Sequence, residues 1–162
     1  MATYSEDDDA RKLIAQLAGT PTTLTTEERE ECSAYLAANG LTGNNDGYWA
    51  VQQEIADDLR RKLISDRLQQ RALRFYLIEK DVGRALSSAA RACAFCPKPQ
   101  NLYEFAAMLK RTGARARANI MFRYFLHKVE SAPTGQFEEL ASRHWDLPTA
   151  ISVARGEVEE PQ

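Results

Sequence analysis

The chain has 162 residues, of which 44% are hydrophobic and 27% charged, and its net charge is −2. That length suffices for one domain with its own core, and the composition excludes both a disordered polyelectrolyte and a uniformly basic nucleic-acid binder. No apolar run approaches the ~18 residues that a membrane span requires, and the charged start "SEDDDARK" predicts no secretory leader.

Ser5 followed by Asp8 predicts the first helix start, with Leu13, Ile14, Leu17 and Ala18 on one face up to Gly19. Pro21 and a Thr-rich run read as a loop. Thr25 or Thr26 caps the next helix, Glu27 and Glu28 sit in its first turn, and Asn39-Gly40 stops it. The polar loop "ANGLTGNNDGYW" (38–49) follows and closes on two aromatics. A longer helix starts near Tyr48. Its apolar residues Val51, Ile55, Leu59, Leu63 and Ile64 recur at three to four residues, and the pattern continues through Leu68, Ala72, Phe75, Tyr76 and Ile78 with a kink expected at Ser65-Asp66.

Asp81 predicts the cap of a helix that runs to Cys96 and is stopped by Pro97 and Pro99. Leu102, Phe105, Ala106 and Leu109 define the next helix, ended by Gly113. Ala118, Met121, Phe122, Phe125, Leu126 and Val129 define another. Phe137, Leu140, Ala141 and Trp145 follow, and Asp146 with Pro148 opens a last short helix closed by Gly156. No run alternates with period two. The expected fold is therefore all-α: a compact bundle of about seven or eight helices in a single domain, 1–162. Residues 1–5 read as a short arm, 6–64 as N-terminal helices, 65–156 as C-terminal helices and 157–162 as a tail.

Ala85, Ala118 and Ala150 recur at intervals of about 33 residues, as do Ala72, Phe105 and Phe137. This spacing resembles tetratricopeptide-type helix pairs in the C-terminal half and implies, as an alternative, an adaptor or chaperone that binds a protein segment.

The chemistry of sites is sparse. Cys93 and Cys96 form a C-x-x-C, but they sit in an Ala-rich helical run and read as small apolar residues. His127 and His144 are the two histidines, and neither has a nucleophile or acid pair nearby in sequence. There is no phosphate-binding Gly loop ending in Lys-Ser or Lys-Thr and no H-E-x-x-H. The expectation is a non-enzyme without cofactor or metal. The acidic stretches 6–9 and 27–31 read as capping or solvated features.

Basic residues are more informative. "KRTGARAR" (110–117) carries Lys110, Arg111, Arg115 and Arg117 around the Gly113 turn and contains no acid. Arg67, Arg71 and Arg74 are spaced by four and three, so they share a helix face. Gly40, Gly43 and Gly47 let a phosphate or base come near backbone N–H groups, while Tyr48 and Trp49 anchor the loop or stack on a base.

Read as N-G-x-T-x-N-x-D-G-x-W, residues 39–49 resemble a signature segment of the coat proteins of flexuous filamentous plant viruses, the potyvirus-like ones in particular. Further segments match in order: "ALRFYLIEKDVGRA" (72–85), "MLKRTGARARA" (108–118) and the aromatic-rich "FRYFLHKVESAPT" (122–134). The resemblance spans about residues 25–140. It implies a subunit that polymerises as a helical capsid around single-stranded RNA, located in the virion and the host cytoplasm, with no membrane partner. By position it places Thr42 and Arg74 at the family's groove, and Lys110, Arg111, Arg115 and Arg117 supply further cations for phosphates. The family's groove aspartate has no counterpart, since no acid occurs between Gly113 and Val129. The family's long N-terminal arm is also expected to be short here.

Overall fold

The computed structural model describes residues 2–19, 24–38, 50–131 and 146–159. Among them the chain is all-helical, with seven α-helices: α1 (Ala2–Ala18), α2 (Thr26–Ala38), α3 (Ala50–Arg74), α4 (Val82–Phe95), α5 (Pro99–Arg111), α6 (Arg115–Glu130) and α7 (Leu147–Glu159). A π-helical turn, Phe75–Glu79, extends α3. The loop 39–49, including Thr42, and the expected helix around Phe137 to Trp145 lie outside the described residues.

Local chemistry sets most of these boundaries. The Thr25 hydroxyl accepts from the Glu28 N–H at 3.1 Å, and the Glu28 carboxylate accepts from the Thr25 N–H at 2.8 Å. This reciprocal pair satisfies two of the donors that a helix start leaves open. Asp81 caps α4 by accepting from the Arg84 N–H at 3.2 Å. Pro99 opens α5, where its missing N–H costs nothing. Gly113 has φ +89° and releases the chain from α5 into α6. Asp146 caps α7 through the Thr149 N–H, at 3.2 Å.

Several boundaries differ from the sequence expectation. α1 begins before Ser5, so that residue lies inside the helix. α3 passes through Ser65-Asp66 without a break, because the Ser65 hydroxyl donates to the Ala92 carbonyl of α4 at 2.7 Å and leaves its own helix ladder intact. The irregularity comes ten residues later, at the π turn. There Lys80 takes φ +56°, and the Lys80 and Asp81 N–H groups both point to the Phe75 carbonyl. Gly156 does not close α7, which continues to Glu159.

α3 and α4 form an antiparallel pair, joined by Lys80-Asp81. Their contact is lined by small residues: Ala72 on one side, Ala85, Ala89 and Ala92 on the other, all fully buried. Two hydroxyls bridge the pair, Ser65 to the Ala92 carbonyl and Ser88 to the Leu68 carbonyl at 2.8 Å. α5 and α6 make a second antiparallel pair, in which Tyr103 meets Phe122 and Phe125 with ring centroids 5.9 and 5.6 Å apart. α1 lies on α4 and α6, α7 lies on α6, and α2 rests chiefly on α3. The core between the pairs holds Phe105, Phe122, Phe125, Leu102, Leu109 and Met121. Burying an aromatic or Leu side chain stabilises the fold by about 1.5–3 kcal/mol each.

Candidate nucleic-acid interface

The two antiparallel pairs, linked by the short Cys96–Lys98 turn, send α3 and α5 toward one end of the bundle. The end of α3 and the start of α4 form one corner at Lys80-Asp81, the end of α5 and the start of α6 form another at Gly113, and the two pairs touch through α4 and α5. Of the sequence-derived residues, Lys110, Arg111, Arg115 and Arg117 belong to the α5–α6 corner, whereas Arg74 belongs to the end of α3.

The α5–α6 corner has a distinctive electrostatic character. Arg111, Arg115 and Arg117 are exposed. The first turn of α6 contains no acid, and Ala114 offers no side-chain cap. Open N–H groups and the positive pole of the helix dipole thus coincide with the exposed Arg117, an arrangement that favours an anion. Lys110 differs. Its ammonium pairs with Glu157 of α7, a carboxylate that is itself buried, so this lysine ties α5 to α7. Burial raises the Glu104 carboxyl on α5, and the charge of Arg111 offsets part of that shift.

Arg74 sits in the second basic group. Arg67, Arg71 and Arg74 share one face of α3, as their spacing requires, but that face is covered by α2 rather than turned to solvent. Glu31 accepts from Arg67 at 2.5 Å, from Arg74 at 3.2 Å and from Arg71. Arg71 also reaches Glu27 at 3.5 Å, and its side chain is only 4% exposed. Arg74 extends further to Glu79 at 3.4 Å and remains 39% exposed. α4 adds Arg84, 3.6 Å from Glu27, and Arg91, 3.0 Å from Glu28.

Phe75 lies beneath this array. The guanidinium carbons of Arg84, Arg71 and Arg74 stand 4.3, 5.1 and 5.5 Å from its ring centroid. Cation–π attraction holds them there, and like-charge repulsion among them is offset by the glutamates of α2. Burial works to raise the Glu31 carboxyl, yet hydrogen bonds and charge from Arg71 and Arg67 outweigh it and hold it below its ordinary value.

The expectation that acidic residues 27–31 are capping or solvated holds for the capping by Glu28 and is corrected for Glu31. Glu28 is buried and joins the capping pair to Arg91, and Glu31 is the hub of the arginine cluster. A sequence signal for this existed. Glu27 and Glu31 are one helical turn apart, matching Arg67 and Arg71 across the interface, although nothing local says that the two helices meet.

The remaining candidates resolve simply. The Cys93 thiol is buried, which pushes it up, and it donates to the Asn101 carbonyl at 3.4 Å. Cys32 is likewise raised, to about 11, first by burial and then by Glu28 and Glu31. These thiols behave as small core residues. Comparisons with family models, with curated proteins and with solved structures found nothing that matches this chain.

Proposed function

We propose that the protein is a viral coat subunit that binds single-stranded RNA and self-assembles into a helical filament. Its work is binding and assembly, with no covalent chemistry. The observation that carries this reading is the α5–α6 corner, where exposed Arg111 and Arg117 flank an uncapped helix start whose first turn has no acid. Phosphate oxygens satisfy that combination, both as acceptors for open N–H groups and as counter-charges. The ordered motif resemblance over residues 39–134 supports the same reading. A net charge of −2 is compatible, because a local basic groove suffices and acidic outer surfaces keep a particle soluble.

Copurification tests it. The protein, purified under low salt, is expected to carry nuclease-resistant RNA, read from its ultraviolet absorbance ratio and by extraction. Material free of nucleic acid, which also fails to take up added single-stranded RNA, contradicts the proposal.

A second reading, a helix-repeat adaptor, draws support from Ala85, Ala118 and Ala150. All three are buried, as close-packed helix pairs require. An adaptor stays small and free of RNA.

A further inference from the structure

α2 is attached in an unusual way. Its only buried apolar side chain is Cys32, and the other buried residue is the charged Glu28. Among the described residues, six ion pairs join it to α3 and α4, from Glu27, Glu28 and Glu31 to Arg67, Arg71, Arg74, Arg84 and Arg91. Five guanidiniums thus face three carboxylates, and the face beneath α2 is positive in its own right. It is also incompletely satisfied. The Nε atoms of Arg67, Arg71 and Arg91 are buried without a hydrogen-bond partner among the described residues. A cleft of about 370 Å³ opens beside the α2 start, lined by Glu27, Arg71, Phe75, Arg84 and Arg91.

An arginine stripe is the chemistry that holds a polynucleotide backbone, with guanidiniums on phosphates, and buried Phe75 beneath it keeps three of them side by side. Here negative groups already occupy it. Glu27 and Glu31 repeat one turn apart, about 6 Å along the helix, and so present charge to the stripe at a regular interval, as a phosphodiester backbone does.

We propose that the face formed by Arg67, Arg71, Arg74, Arg84 and Arg91 is a second phosphate-binding surface, and that α2 masks it in cis as an acidic mimic that RNA displaces. The inference rests on the RNA-binding reading above and adds a control to it. The free subunit keeps its main arginine stripe covered, engages RNA first through the exposed α5–α6 corner, and uncovers the stripe only when a polyanion competes for it. A helix whose buried contacts are mostly ionic, with Cys32 buried and Tyr35 and Leu36 half-buried, is suited to such exchange, because each carboxylate–guanidinium contact released is replaced by a phosphate–guanidinium contact.

Fluorescence anisotropy with a labelled oligouridylate is the test, applied to the full chain and to its Glu27→Gln/Glu31→Gln variant at equal salt. The variant is expected to bind about tenfold more tightly, the usual scale of a coupling between two competing ligands. Unchanged or weaker binding overturns the proposal in a variant that is folded by circular dichroism.

Hydrogen exchange on the unmodified protein reads the same exchange without any substitution. Amides of 26–38 are expected to lose protection on addition of the oligonucleotide, while those of α5 keep theirs. Constant or increased protection in α2, with RNA bound, overturns the masking and leaves the RNA-binding reading intact. If neither protein binds the oligonucleotide, both proposals fall together.

Discussion

Arg74 Nη1 lies 3.2 Å from Glu31 Oε1, so the arginine that the proposed coat-protein resemblance assigns to a groove is held by a glutamate 43 residues earlier. Glu31 accepts from Arg67 and Arg71 as well, and its own side chain is 16% exposed. Glu31→Gln keeps the shape and removes the charge from this cluster. The expected loss of stability is about 1–3 kcal/mol, the cost of leaving largely buried donors poorly satisfied. Urea unfolding checks it, and the midpoint should fall without a change in slope.

The same carboxylate predicts an acid limb. Its folded-state value is depressed below the ordinary 4.5 by Arg71 and Arg67, despite burial. The unfolded chain therefore binds this proton more readily than the folded one. The contribution of Glu31 is fully present above pH 4.5 and is lost as pH falls through the lower folded value. Wild-type stability should drop over that acid range, and Glu31→Gln should show a shallower drop.

Glu104 has the opposite sign. Burial raises its carboxyl, and Arg111 only partly counters that. A raised carboxyl keeps its proton better in the folded state, so its contribution is fully present below 4.5 and is lost as pH rises through the folded value. Glu104→Gln should be more stable than wild type at neutral pH, and the two should converge in acid. Arg111→Ala removes the countering charge and should move the Glu104 titration, followed by NMR, further upward.

The basic corner makes a separable prediction about binding. Arg115→Ala and Arg117→Ala should each weaken RNA binding similarly across sequences and reduce the salt slope by about 0.7 for each phosphate no longer neutralised. Both side chains are exposed, so thermal stability should stay within about 0.5 kcal/mol of wild type. Lys110→Ala should differ. It leaves buried Glu157 without its cation, and it should lower stability as well as binding.

Phe105 is fully buried between the helix pairs. Phe105→Ala should cost about 3–5 kcal/mol, through reduced transfer energy and the cavity left behind. Chemical denaturation measures that cost. The RNA affinity of the fraction still folded should be unchanged, because Phe105 is fully buried and offers no group to a ligand.

Much of the fold was legible because helical periodicity and capping are local. Asp81, Pro99, Gly113 and Asp146 each mark the boundary their chemistry requires. Gly156 misled because a glycine alone does not end a helix, and there the backbone simply continues. Ser65 misled because its hydroxyl bonds to a neighbouring helix, a contact 27 residues away that no local pattern announces.

The site divides in the same way. The exposed corner could be read from the acid-free run 110–117, since both the turn and the cations are local. That Arg67, Arg71 and Arg74 share a face was also readable from their spacing. Which way that face points was not, because the glutamates that cover it lie 36 to 44 residues distant. The pairing of Lys110 with Glu157 was hidden for the same reason, across 47 residues.

Negative-stain electron microscopy of the purified protein, with and without single-stranded RNA, tests the coat-protein reading most directly. Flexuous filaments or stacked rings of uniform diameter, lengthening with the RNA supplied, are the expected result. A field of isolated subunits, unchanged by RNA at any salt concentration, contradicts it.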